Sequence, residues 1–281
     1  MAASRTAPSY AEVIGDPISH SKSPLIHKFW LSRLGLEGDY RATRVPPDGL
    51  EAFFAERRAD PAWRGCNVTV PHKQTVMASL DRLSEGAQAV GAVNTIVAVQ
   101  GALAGDNSDV GGIIDALSIL PARATRVCLI GSGGAALAAL AAFRLLAVSH
   151  VALNVRDQAK GERLLAESGL DGRVGAVDDR DGLLGAELIV NATTLGMSGQ
   201  AAMPEAVLRH VAAIADPGVA VFDMVYAPLE TALLVAARKR GLRAIDGLEM
   251  LVGQAALAFA LLFGCAPPRA YDAELRALLT S

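Results

Sequence analysis

Three cysteines in 281 residues, Cys66, Cys128 and Cys265, are odd in number and far apart, so no disulfide framework is implied. A charge excess is also missing. With 26 basic against 29 acidic residues the net is −3, which argues against a nucleic-acid or polyanion surface. The most apolar run, Leu251–Phe263, is shorter than the ~20 residues a bilayer crossing needs. Gln254 interrupts it, and it reads as a buried helix. Met1 to Tyr10 holds Arg5 but no apolar core of signal-peptide length, so a cytoplasmic location is expected, with no membrane partner. The five histidines, His20, His27, His72, His150 and His210, show no ligand spacing with cysteines or carboxylates, so no metal site is expected. Internal repeats and low-complexity segments are absent as well. What remains is a chain of a length suited to two domains, and its modest charge favours small-molecule chemistry.

The pattern of the first third is α/β alternation. Glu12–Gly15 reads as a short strand, followed by the loop Ile18-Ser19-His20-Ser21-Lys22-Ser23-Pro24 and a helix in which Ser23 is the expected N-cap and Pro24 the first helical residue. Its serines can cap the helix or bind an oxygen-rich ligand. A strand over 38–43 and a helix over 48–58 come next. Asn67–Val70 reads as a strand stopped by Pro71, which delivers Lys73 just beyond its end. Asn67 and Thr69 alternate onto one face of that strand, the layout of a polar-ligand pocket, although Lys73 could equally be a solvated residue at a helix start. Gln74 to Gln88 reads as helical and Val90–Val99 as a strand. Asn94 lies among apolar neighbours in that strand, where a buried amide needs partners that a ligand could supply. After a turn at Gln100-Gly101, Asp109 stands at a helix N-terminus, as a cap or as a functional acid.

The middle of the chain carries a more specific signal. Arg126–Ile130 is a compact apolar strand, Gly131-Ser132-Gly133-Gly134-Ala135-Ala136 follows it directly, and a helix runs to about Ala147 before a strand at His150–Val155. Gly131, Gly133 and Ala136 satisfy G-x-G-x-x-A in its strand, turn and helix setting, which predicts a dinucleotide-binding unit. Past the second strand, Asn154, Arg156 and Asp157 should reach the adenosine ribose. Arg156, with Lys160, favours a 2′-phosphate, whereas Asp157 favours a free 2′-hydroxyl. Two further strands, Glu187–Asn191 and Ala220–Val225, end in the polar loops Asn191–Met197 and Tyr226-Ala227-Pro228. A helix over Thr231–Arg240 and a short strand at Arg243–Ile245 precede the last apolar helix.

Taken together, Gly15 to Pro24, Asn67 to Lys73, Gly91 to Asn94, Asp106 to Asp109, Gly131 to Ala136, Asn191 to Met197, Val225 to Pro228 and Glu249 to Gln254 resemble, in order, the shikimate dehydrogenase family. The resemblance spans nearly the whole chain. It implies an α/β protein with a mixed-sheet substrate domain (1–110), a doubly wound Rossmann-type nucleotide domain (111–247) and C-terminal helices (248–281) returning to the first domain. It further implies NADP-dependent reduction of 3-dehydroshikimate to shikimate, on the chorismate route to aromatic amino acids, by a monomer or homodimer. The family's Lys–Asp pair falls on Lys73 and Asp109, and its substrate contacts on Ser21, Ser23, Thr69, Asn94, Tyr226 and Gln254. Its cofactor contacts fall on Gly131, Ser132, Gly133, Gly134, Ala135, Asn154, Arg156, Asp157, Lys160, Thr193, Met224 and Gly247. Two segments depart from the family pattern. The usual Asn-Arg-Thr reads Val155-Arg156-Asp157, and the usual Asn-Thr-Asp reads Asn107-Ser108-Asp109. The first keeps NAD open as cofactor and the second keeps quinate open as substrate. A third reading is a regulator that binds shikimate-like acids without turnover.

Overall fold

A computed structural model describes residues 8–281; the reading of the N-terminus falls mostly on residues 1–7, outside the described residues. The chain divides into two compact units, one running to Ser108 and resuming from Gln254 to Ser281, the other from Asp109 to Gly253.

The first unit is built on a mixed sheet. Its elements in chain order are β1 (Tyr10–Gly15), α1 (Ser23–Leu34), β2 (Asp39–Arg44), α2 (Leu50–Arg58), β3 (Trp63–Val68), β4 (Arg82–Leu83), α3 (Glu85–Val90), β5 (Thr95–Val99) and β6 (Ala102–Asp106). The strand order is β2-β1-β3-β5-β6-β4. β1 lies parallel to β2 and β3, while β5 runs antiparallel to β3 and β6. Every residue of β1 is buried, as a central strand covered on both faces must be. Its side chains alternate between two cores: Tyr10 and Ile14 join Phe53, Phe54 and Trp63, whereas Ala11 and Val13 join Tyr40, Ala258 and Leu262.

The second unit contains α4 (Asp109–Leu117), β7 (Arg126–Ile130), α5 (Gly134–Leu145), β8 (His150–Val155), α6 (Gln158–Ser168), β9 (Gly172–Ala176), α7 (Arg180–Leu183), β10 (Leu188–Asn191), α8 (Glu205–Ala213), β11 (Ala220–Asp223), α9 (Ala232–Arg240) and β12 (Arg243–Ile245). α10 (Gly247–Phe263) and α11 (Asp272–Thr280) end the chain. All pairings are parallel, in the order β12-β11-β10-β7-β8-β9. The chain steps outward from β7 to β9, then restarts beside β7 and steps the other way through β10 to β12. That reversal puts a switch point between β7 and β10, and open α/β sheets bind ligands at the carboxyl ends of strands there. In the first unit, α10 brings Phe259 and Phe263 against His27, which stacks on Tyr40 at 3.9 Å between ring centroids.

Several local expectations are corrected. The strand carrying Asn67 ends at Val68 rather than Val70, because Thr69 O accepts from His72 N (3.0 Å) and turns the chain. Residues 74–88 do not form one helix. A 3₁₀ turn over Thr75–Ser79 gives way to β4 and then to α3, since Ser84 caps the new helix by accepting from Ala87 N (3.0 Å). Arg58 also holds the end of that turn, donating to Ser79 O (3.2 Å) and to Asp81 Oδ2 (2.8 Å). The strand expected from Val90 begins at Thr95, because Gly91 closes α3 in the left-handed conformation. Ser23 is the first helical residue rather than the cap, and Ser21 Oγ accepts from its N–H (3.3 Å) instead.

Candidate active site

In the first unit the polar candidates are wired together by the chain. The turn Thr69–His72 follows β3 directly: Thr69 N donates to Ile14 O (2.9 Å), and the buried His72 bonds Val45 O through Nε2 (2.7 Å). Lys73, half-buried, comes next, and its carbonyl accepts from Val93 N (2.7 Å), which fixes it one residue from Asn94. Asn94 is 3% exposed. Its Oδ1 accepts from Ser108 N (2.7 Å) and Thr95 Oγ1 (3.0 Å), and its Nδ2 donates to Ser108 Oγ (3.1 Å). The partners that a buried amide requires are therefore supplied in large part by the protein.

Asn67, on the strand before the turn Thr69–His72, is tied into the same network through both ends of its amide. Tyr40 OH donates to its Oδ1 (2.6 Å), while its Nδ2 donates to Asn94 O (3.1 Å) and Thr95 Oγ1 (3.0 Å). Ser108, which the sequence marks only as a departure from the family's usual threonine, is the hub. Its Oγ lies within reach of Asn94, Thr95 and Gln254 Oε1, the last at 3.4 Å. Ser21 is half-buried and Ser23 buried at the start of α1. Asp109 opens α4 in the second unit and is 4% exposed.

The glycine turn of the second unit sits at the switch point. Gly131 has φ +127°, and a Cβ there would lie 2.9 Å from both Ala192 O and Thr193 Cγ2. Only glycine fits so close to the loop after β10. Gly133 stands at the N-cap of α5 and offers no side-chain cap, and the space where its Cβ would project is open for 4 Å. The first N–H groups of a 12-residue helix, from Gly134 and Ala135 onward, thus face an open approach, with Ser132 half-buried beside them. These features fit the pyrophosphate of a dinucleotide. At the end of β8, Arg156 is exposed and, among the described residues, its side chain makes no hydrogen bond or ion pair. Asp157 has a task that the sequence reading did not assign: Oδ1 caps α6 by accepting from Lys160 N (3.0 Å). Lys160 is exposed. Asn154 is fully buried and turned inward, its Nδ2 donating to Asp179 O (3.0 Å) and its Oδ1 buried without a partner.

At the ends of β10 and β11, Thr193 Oγ1 donates to Asn191 Oδ1 (2.6 Å), and Met224 N donates to Asn191 O (3.0 Å). Gly247 packs so tightly on this loop that a Cβ would lie 2.4 Å from Met224 O. Tyr226 is half-buried, and burial raises its phenol above the ordinary range. The fully buried Asp223, also missed, lies in register with Asn191, and burial pushes its carboxyl up against the pull of three hydrogen bonds. Two apolar strands that each end on a polar residue were the available signal.

Comparison with known proteins adds the family. Residues 13–96 match the "Shikimate dehydrogenase substrate binding domain" and residues 247–274 the "Shikimate 5'-dehydrogenase C-terminal domain". The chain is 49% identical to the protein named "Shikimate dehydrogenase (NADP(+))" from Sphingopyxis alaskensis, over 98% of each. It superposes on the Shikimate 5-Dehydrogenase of Thermus thermophilus, solved in complex with NADP(H) and shikimate, with TM-score 0.84 and 35% identity, over 96% of this chain and 99% of that one. A ligand-free 5-ketofructose reductase of Gluconobacter sp. gives TM-score 0.84 at 26% identity, over 96% and 99% of the two chains. Sequence identity at this level over almost the full length places the protein by descent: it belongs to the shikimate dehydrogenase family.

Proposed function

We propose that the protein reduces 3-dehydroshikimate to shikimate with NADPH, in the pathway that leads through chorismate to aromatic amino acids. The observation that carries this reading is the glycine turn at the switch point, whose Gly131 leaves no room for a Cβ and whose Gly133 opens an uncapped helix, in a chain 49% identical to an NADP(+) shikimate dehydrogenase. Bound NADPH supplies the hydride. Lys73 supplies the positive charge at the carbonyl oxygen as it becomes an alkoxide, and Lys73 with Asp109 supplies the proton. Arginine could stabilise the same oxygen but not readily release a proton to it. Asn94 is oriented for this work by Ser108, whose N–H donates to its Oδ1 and whose hydroxyl accepts from its Nδ2. With Ser21, Ser23, Thr69, Tyr226 and Gln254 it binds the hydroxyl and carboxylate groups of the substrate. Arg156 selects the 2′-phosphate, because among the described residues its guanidinium pairs with no carboxylate while Asp157 is engaged as a helix cap.

The enzyme acts in the cytoplasm as a monomer or homodimer, without nucleic-acid or membrane partners. Among the described residues no helix is long and apolar enough to cross a membrane. Steady-state oxidation of NADPH and NADH with 3-dehydroshikimate, 3-dehydroquinate and 5-ketofructose tests the assignment. The highest kcat/KM is expected for NADPH with 3-dehydroshikimate. A higher value for NADH or for either other ketone would replace it, and absence of turnover with all three would favour a ligand-binding regulator.

A further inference from the structure

The carboxylate of Asp223 accepts three hydrogen bonds and, among the described residues, pairs with no cation. Its Oδ1 accepts from Asn191 Nδ2 (2.8 Å) and Val225 N (3.1 Å), and its Oδ2 accepts from Thr231 Oγ1 (2.6 Å). The residue is completely buried. Ionised carboxylates are rarely placed so, because desolvation costs several kcal/mol unless hydrogen bonds offset it. A group retained at that cost does something a leucine could not.

Its partners show what that is. Asn191 can donate only from Nδ2, so the carboxylate dictates which end of that amide points at it. Nδ2 donates to Asp223 and to Leu195 O (3.1 Å), which leaves Oδ1 to accept from Thr193 N (3.1 Å) and Thr193 Oγ1 (2.6 Å). Thr193 Oγ1 in turn accepts from Leu195 N (3.0 Å), so its hydroxyl is committed in both senses and its rotamer is set. That rotamer aims Cγ2 at Gly131, within 2.9 Å of where a Cβ would stand. The methyl of Thr193 is therefore a wall of the glycine turn, and its position is inherited from Asp223 through one amide.

We propose that Asp223 is a positioning residue for the cofactor: through Asn191 it holds Thr193 against Gly131 and so shapes the turn that receives the pyrophosphate. The inference rests on the NADPH reading above but is tested by binding rather than turnover. Asp223→Asn is nearly isosteric and keeps one acceptor for Asn191, while placing an amide N–H₂ where Thr231 donates. It loses the charge that makes these bonds about twice as strong as neutral ones. Thr193→Val keeps the packing methyl but cuts the hydroxyl tie to Asn191. Isothermal titration of NADPH, at a temperature where all variants are folded by circular dichroism, is expected to give a Kd about five- to tenfold higher for Asp223→Asn. Thr193→Val should weaken binding by a similar factor. The double variant should be no weaker than the weaker single one, as expected of residues acting in series. The melting temperature of Asp223→Asn is recorded alongside, and a raised Kd at a temperature where the variant is fully folded is lost affinity rather than lost fold. Multiplicative effects in the double variant, or an unchanged Kd in Asp223→Asn, would overturn the relay. Failure of the unmutated protein to bind NADPH would instead overturn the functional reading.

Discussion

Replacing Gly133 by alanine should separate the fold of the dinucleotide turn from its use. Gly133 has φ −91° and ψ −170°, extended backbone that any residue adopts, and a Cβ there meets nothing within 4 Å. Among the described residues nothing resists the substitution. Removing glycine's freedom from the unfolded chain should raise stability by about 0.4–1 kcal/mol. The added methyl nevertheless enters the space where the backbone admits the pyrophosphate. Overpacking of that kind costs about 1–3 kcal/mol, which is about 5- to 150-fold in Kd. Gly131 provides the opposite case. Its φ of +127° and the 2.9 Å approaches of Ala192 O and Thr193 Cγ2 penalise alanine in the protein itself. Backbone strain of about 1–3 kcal/mol and steric strain of about 1–3 kcal/mol sum to a large share of a total stability of about 5–15 kcal/mol. Urea unfolding without ligand, followed by calorimetric titration with NADPH, reads both quantities. Gly133→Ala should be at least as stable as the parent yet bind weakly, and Gly131→Ala should be destabilised before any ligand is added. A Gly133→Ala variant that binds NADPH like the parent would refute the assignment of the turn, and a fully stable Gly131→Ala would refute the packing.

Lys73→Ala should lower kcat by about 10²–10⁴-fold while changing the KM for 3-dehydroshikimate far less, and retention of more than about a tenth of kcat would remove its catalytic role. Arg156→Ala should weaken NADPH binding by about 10- to 150-fold without affecting NADH, from the loss of one charge-assisted contact worth about 1.5–3 kcal/mol. Asp157→Thr keeps a hydroxyl to cap α6 and should tighten NADPH several-fold; equal effects on both cofactors in titration would contradict these roles. His27 is fully buried with Nδ1 unpartnered, and burial lowers its pKa from 6.5 to about 3. Between those values the unfolded chain binds a proton that the folded one refuses, so stability falls as pH drops from 6.5 toward 3, by up to about 1.4 kcal/mol per pH unit. His27→Phe should flatten that part of the profile of urea-unfolding free energy against pH, and an unchanged slope would show that other groups cause it.

The nucleotide unit was legible because its signals are local: β7 and β8 have the bounds that the apolar runs around Gly131–Ala136 mark, and turn, strand and helix follow in one continuous stretch. Residues 74–88 were not legible, since what ends the turn after Ser79 is Arg58, brought from α2 by the tertiary fold. Among the candidate site residues the glycines stand out by pattern, because G-x-G-x-x-A between a strand and a helix is specific, whereas Lys73 stands out only through the other motifs that accompany it. Ser108 and Asp223 do not stand out. A serine's role as a hub and an aspartate's role as an orienting acceptor depend on Asn94, Gln254, Asn191 and Thr231, which lie far from them in sequence or across a strand pair. Asp157 shows the same limit from the other side: residue type suggested a ribose contact, and the geometry also makes it the cap of α6.

Transfer of deuterium reports the proposed hydride step itself. The purified protein is incubated with 3-dehydroshikimate and NADPH deuterated at the reactive nicotinamide carbon, and the product is examined by mass spectrometry and chromatography against authentic shikimate. Shikimate carrying one deuterium is expected in amounts equal to the NADP⁺ formed, with at most about a hundredth as much from the Lys73→Ala variant over the same interval. Oxidation of NADPH without labelled shikimate, or labelled shikimate formed equally fast by Lys73→Ala, would contradict the proposed mechanism.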